Sequence, residues 1–351
     1  MRRTVQLLAA ALLATTAAIA TDAEAETTIK WLSQSQANST QFPIETATME
    51  SIAALDGLDL AVERSEFQAL GINLGDALRL VRAGTFDIAS TQVGQVAKDD
   101  AFLEGIDLIG VSTNMEALRE SVDAYRDVFN ARLEDRFGVR ALAIWPFGPQ
   151  IFLCNQPIET LADLEGLKVR SFTASMSTLI ERLGATPVTL SFPEVYPALQ
   201  RGVASCGITS ATSSNTGKWP EVTTHLLPLA VSGSVQAHVV NVEWWNNLPE
   251  DVQTALAAEF TAMEDRLWEL ASKTNDDAIA CSTGSPDCPG DPHQKYDMVL
   301  VEVSDADVQK VADIAAEVVV GEWAERCEQT YPGCTQIWND TIGAVRGIKV
   351  E

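Results

Sequence analysis

Hydrophobic and polar positions along this chain switch between two periods. Thr28–Ser33 (TIKWLS) reads as a first strand and Leu58–Val62 as a second. Between them a polar loop, Gln34–Gln41, leads into helical spacing from about Pro43 to Leu55. Ala77, Leu78 and Val81 then share a helical face over Asp76–Arg82, Gly84 supplies the C-terminal stop, and Phe86–Ala89 is a short strand. The stretch 157–210 repeats this alternation. Thr160–Asp163 starts a helix and Gly166 stops it; Leu167–Arg170 is a strand; Ser175–Leu183 is a helix ended by Gly184; Pro187–Leu190 is a strand. Ser191 and Glu194 then form a capping box ahead of Phe192, Val195, Tyr196 and Leu199, which fall at i, i+3, i+4 and i+7. Gly202 closes that helix, and Val203–Ile208 is the next strand. Asn247–Glu250 reads as a further box, opening a long helix without Gly or Pro through about Ser272. Helix–glycine–strand alternation of this kind predicts α/β layers.

Composition adds a compartment. Arg2 and Arg3, an apolar run over Val5–Ala20 and the sequence Ala23-Glu24-Ala25 match a secretory signal at residues 1–25, with the mature chain starting near Glu26. An uncleaved anchor is the alternative. No later segment offers about 20 apolar residues in a row, so the exported chain is expected to be soluble and periplasmic. At 351 residues, with 46% hydrophobic and 21% charged positions, it suits two compact lobes with a real core.

The balance of 49 acidic against 24 basic residues, a net charge of −25, argues against nucleic acid and anionic membrane as partners. Six cysteines in an exported chain suggest disulfides. Cys281 with Cys288 and Cys327 with Cys334 each bracket a Gly/Pro-containing loop, which leaves Cys154 with Cys206. The pairs lack the C-x2-C spacing of a zinc site, and His225, His238 and His293 are scattered. The chain has no G-x-S-x-G elbow, no P-loop, no G-x-G-x-x-G and no H-E-x-x-H. No metal, cofactor or catalytic residue is therefore expected, and the chain reads as a binding protein, not an enzyme. Paired carboxylates in so acidic a chain keep a secreted enzyme of unassigned reaction open as the alternative.

The segment 157–221 opens with PIETLADLEGLKVRSFTASMSTLIERLGATPVTLSFPEVYPALQRGVASCGI and runs into KWPEV, whose valine is Val222. Together with ALRLVRAGTFDIAS and VEWWNNLPEDVQTAL, these ordered motifs resemble the DctP-like solute-binding proteins of tripartite ATP-independent periplasmic (TRAP) transporters. The likeness runs from about residue 74 to 272 and is poor over 281–351. It implies an α/β, two-lobed periplasmic binding protein fold with hinge strands and a long helix spanning both lobes. On that plan residues 26–147 plus about 240–280 form lobe I, and 148–239 plus about 281–351 form lobe II. The implied role is a monomeric receptor that captures a small organic acid and delivers it to membrane permease subunits. A binding lobe serving a sensor kinase or another transporter shares the fold.

The resemblance also assigns residues. Arg170 takes the place of the arginine that clamps a ligand carboxylate, a task suited to its planar, permanently charged fork. Phe192 matches an aromatic that packs on the ligand, Thr209 a position that contacts it, and Thr173 is a further candidate. Phe172 could equally be core. Many acid-binding members carry a second arginine where this chain has Gln150, which can hydrogen-bond but brings no charge. That substitution implies a monocarboxylate rather than a dicarboxylate, with a zwitterionic or uncharged solute as the alternative. Trp31, Trp145, Phe147, Phe152, Trp219, Trp244 and Trp245 are available as apolar walls.

Overall fold

A computed structural model describes residues 27–33 and 39–351. The leader at 1–25, its cleavage near Glu26 and most of the Gln34–Gln41 loop lie outside the described residues. The strands, in chain order, are β1 (Thr27–Ser33), β2 (Leu60–Glu66), β3 (Ile88–Gln92), β4 (Val139–Pro146), β5 (Gln150–Cys154), β6 (Lys168–Ser171), β7 (Thr186–Thr189), β8 (Cys206–Ser210), β9 (His225–Leu227), β10 (Val235–Asn241) and β11 (Val299–Leu300). They form two sheets, ordered β2-β1-β3-β10-β4 and β11-β9-β5-β8-β6-β7. In the first, β1 runs parallel to β2 and β3, and β10 is antiparallel to β3 and β4. In the second, β6 runs parallel to β7 and β8, and β5 is antiparallel to β8 and β9.

The central strands β3, β5, β8 and β10 are buried along their whole length, as expected for sheets covered on both faces. The helix Phe42–Ala53 covers one face of the first sheet through Met49 and Ile52. The helix Ala174–Arg182 covers the second through Met176, Leu179 and Ile180. The helix Phe192–Gln200 starts at the Ser191–Glu194 box expected from the sequence.

The long helix runs over Glu250–Ser282, about 50 Å at 1.5 Å per residue. Leu256, Phe260, Met263 and Leu267 pack into the first core, and Ala278 packs into a core of the second lobe. Glu264 accepts from the Ile144 amide at 2.8 Å and from Arg126 at 2.6 Å. Farther along, Thr212 donates to the Thr274 carbonyl at 3.1 Å and the Asn215 amide to Ser282 at 3.0 Å. One helix thus grips both lobes. It extends ten residues past Ser272, because no Gly or Pro interrupts it before Gly284. Its N-cap is Pro249, without a side-chain cap, and Asn247 closes the preceding short helix Val242–Asn247. The box expected at Asn247–Glu250 is therefore absent.

The chain crosses between sheets at Phe147–Pro149 and at 228–234. The two crossovers pair through Phe147 N to Ser234 O at 3.2 Å and Gly148 N to Gly233 O at 3.1 Å. Gly148, at φ +121°, holds a backbone conformation that favours glycine. Two stretches lie differently from the lobe boundaries expected above. β10 completes the first sheet, because Val235, Val239 and Val240 bury into its core. After β11 and the helix Asp305–Ile314, the chain returns to the first core with Trp323 and Trp338, whose indoles donate to the Ala101 and Gly105 carbonyls at 2.7 and 2.9 Å.

All three disulfides form as expected: Cys154–Cys206, Cys281–Cys288 and Cys327–Cys334. Cys154 and Cys206 are directly opposed across β5 and β8. No described helix is long and apolar enough to cross a membrane.

Candidate functional site: a cavity between the lobes

The strand ends of both sheets meet around a cavity of about 350 Å³, at the low end for small-molecule sites. The first lobe contributes Phe67 and Ile72–Leu74 after β2, Gln92 at the end of β3, Gln95, and Gln236 on β10. The second lobe contributes Gln150 at the start of β5, Arg170 and Phe172 at the end of β6, Ser191–Pro193, and Thr209 on β8. Phe147 and Ser234 come from the crossovers.

Arg170 sits on β6 between Val188 of β7 and Gly207 of β8. Its Nε donates to the Leu190 carbonyl at 3.1 Å and its Nη1 to the Ile208 carbonyl at 2.7 Å. The guanidinium lies 4.5 Å from the Phe172 ring centre and 5.8 Å from that of Trp219. Trp219 reaches this place because residue 207 is glycine; a Cβ there would fall 2.6 Å from the indole. Arg170 is 3% exposed. Burial lowers its pKa to about 9, so it stays protonated at neutral pH. Among the described residues no carboxylate pairs with it, and it is the one charged group in the lining. A buried cation without a counter-ion is costly. Its geometry suits a carboxylate arriving from the cavity, which would take bidentate hydrogen bonds and restore the charge balance.

The structure thus brings Arg170, Gln150, Phe192 and Thr209 together on one cavity. Thr173 is not among the lining residues. Its hydroxyl caps the helix Ala174–Arg182 by accepting from the Met176 amide at 3.1 Å, and its methyl packs on Gly94 of the other lobe. Of the aromatics available as walls, Phe147 alone lines the cavity. Trp31, Trp145 and Phe152 are core, Trp219 backs Arg170 and stacks on Phe192 at 5.5 Å, and Trp244 and Trp245 pack with the first core. The aromatic wall is instead Phe67, Phe147, Phe172 and Phe192. Gln92, Gln95 and Gln236 belong to the site without any motif to mark them. For Gln236 alone the strand sequence VQAHVVN offers a signal, a glutamine in a mostly apolar strand; Gln92 follows Ser90 and Thr91 and Gln95 sits on a short helix, and neither stands out.

Two sheets joined by paired crossovers and one shared helix, with a lone buried cation facing the gap, define a two-lobed solute-binding protein. The family described as bacterial extracellular solute-binding protein, family 7 (DctP), matches residues 70–284, and the chain belongs to it. Among curated relatives, it is 28% identical over 197 residues to the C4-dicarboxylate-binding periplasmic protein DctP of Rhodobacter capsulatus, covering 54% of this chain and 58% of the relative. It is 26% identical over 264 residues to the sialic acid-binding periplasmic protein SiaP of Vibrio cholerae, covering 74% of this chain and 70% of that protein. The first match spans little more than half of the relative. Among solved structures, the fold agrees with DctP7, a Bordetella pertussis extracytoplasmic solute receptor binding pyroglutamic acid, at a TM-score of 0.78 and 19% identity over 90% of this chain and 99% of that one. A TRAP periplasmic solute-binding protein from Shewanella oneidensis with bound succinate gives 0.75 and 17% over 92% and 100%.

Proposed function

We propose that this chain is the periplasmic receptor of a TRAP transporter. It captures a small organic acid, a monocarboxylate, between its lobes and delivers it to membrane permease subunits, acting as a monomer and carrying out no reaction. The observation that carries this reading is Arg170: buried, charged at neutral pH, and facing the cavity without a carboxylate partner among the described residues. The ligands named for its relatives support it, since C4-dicarboxylates, sialic acid and pyroglutamic acid are all carboxylic acids. A single carboxylate is favoured because the lining has one cation, Arg170, and Gln150 on the same sheet is neutral. A second carboxylate would enter a low-dielectric space with nothing to pair it.

Thermal-shift screening against organic acids tests this, with the Arg170→Met variant beside the native chain. A ligand at about 100 times its Kd stabilises by roughly 2.7 kcal/mol, a rise of several degrees. A monocarboxylate should shift the native protein and leave the variant unmoved. Equal responses, or responses only to uncharged or cationic compounds, would contradict the reading.

A further inference from the structure

Resting on Arg170 as the carboxylate clamp, we infer that the remainder of the ligand carries uncharged N–H or O–H donors, and no ammonium group. In two of the lining glutamines, Gln150 and Gln236, the amide nitrogen is engaged by backbone carbonyls while the oxygen is left as an acceptor without a donor. Gln150 Nε2 donates to the Gly148 carbonyl at 2.8 Å. Gln236 Nε2 donates to the Ser234 and Val235 carbonyls at 3.1 and 3.3 Å. A backbone carbonyl can only accept, so these partners fix which end of each amide is nitrogen. Gln95 Nε2 donates to the Gln92 oxygen, and Gln92 Nε2 to the Ser234 hydroxyl.

Gln150 Oε1 and Gln236 Oε1 accept no hydrogen bond from any described residue. Their side chains are 2% and 1% exposed and line the cavity, so the cavity is where these acceptors find donors. A ligand that expels water without supplying donors strands them, at a cost of about 1–3 kcal/mol each. An ammonium group would also satisfy them, yet it would be buried with no anion, since no described lining residue is acidic. Gln150 belongs to the second sheet and Gln236 to the first, so one donor-bearing ligand engages both lobes.

Titration calorimetry with five acids tests this. Pyroglutamate has a ring carboxylate beside a neutral N–H. Its lactone analogue, 5-oxotetrahydrofuran-2-carboxylate, replaces that N–H by oxygen. Proline has a ring ammonium, glutarate a second carboxylate, and gluconate several hydroxyls. Pyroglutamate or gluconate is expected to bind about tenfold or more tightly than the other three, the cost of one stranded acceptor. Pyroglutamate ahead would identify a lactam acid as the ligand class, and gluconate ahead a polyhydroxy acid. Gln236→Leu, with native circular dichroism, should shrink that advantage to about threefold or less while a carboxylate is still bound. A tightest response to proline, glutarate or the lactone, no response to any of the five, or an advantage unchanged in Gln236→Leu overturns the inference. Failure of the clamp itself looks different: Arg170→Met would then still bind the preferred acid.

Discussion

Arg170 costs the empty protein stability. Its pKa is lowered to about 9 by burial, so the folded state holds this proton less tightly than the unfolded chain. The penalty is full below about pH 9 and fades as pH rises toward the ordinary arginine value. Arg170→Met removes the buried charge and keeps most of the volume. It also leaves the Leu190 and Ile208 carbonyls without their donor, an opposing cost of about 1–3 kcal/mol each that does not depend on pH. The charge penalty is therefore read from pH dependence: measured without ligand, the native protein should gain stability relative to Arg170→Met between pH 7 and pH 10, and the variant should lose its response to carboxylates; a difference that stays constant with pH would contradict the charge penalty. Stability given up at a binding site is a common trade. Four of the five binding residues expected from sequence line the cavity: Arg170 ends the GLKVR motif on β6, Phe192 opens the helix of the SFPEV motif, and Gln150 and Thr209 lie on the ends of β5 and β8. Thr173 lies beside the cavity instead of on it: Phe172 lines the cavity, while the Thr173 hydroxyl caps its own helix and its methyl faces Gly94. Gln92 and Gln236 were illegible in another sense, since their place depends on which strands of the two sheets become neighbours.

Strand β10 enters its sheet through a tightly held crossover. Asp107 accepts from the Ser232 hydroxyl at 3.2 Å, the Gly233 amide at 3.4 Å and the Val235 amide at 3.1 Å. Burial pushes its carboxyl up to about 6, against the pull of those hydrogen bonds. A raised folded pKa means that the folded protein holds the proton more tightly than the unfolded chain. The associated stability is present at low pH and lost as pH rises from about 3.8 to about 6. Relative to Asp107→Asn, the native protein should therefore lose on the order of 3 kcal/mol across that window, measured by denaturant unfolding at several pH values. A difference independent of pH would contradict the shift. At this scale the alternation of helix and strand was legible from periodicity, glycine stops and the Ser191 box. Boundaries were less so. β3 begins at Ile88 and runs to Gln92, past the expected Ala89, because its polar residues Ser90, Thr91 and Gln92 are buried against neighbours that periodicity cannot show.

At the scale of the molecule, three connections tie the lobes: two crossovers and the Glu250–Ser282 helix. The tail from Val319 adds a further tie. It packs on the first core, while Glu322 accepts from Thr178 and Arg182 of the second lobe at 2.8 and 2.9 Å. The two-lobed plan was legible because the 74–272 motifs span both sheets. The tail was not, since 281–351 carries little resemblance and its tryptophans could serve either core. Under the proposed receptor role, a ligand that contacts both lobes at once would shift the protein toward a closed population. The central claim is that a carboxylate bound between the lobes is held by Arg170. A crystal structure of the native chain saturated with its best organic acid tests it most directly. The account predicts carboxylate oxygens at about 2.7–2.9 Å from the Arg170 guanidinium, inside the cavity lined by Gln150, Phe192 and Thr209. A ligand bound there with its carboxylate turned away from Arg170, or bound elsewhere, would contradict it.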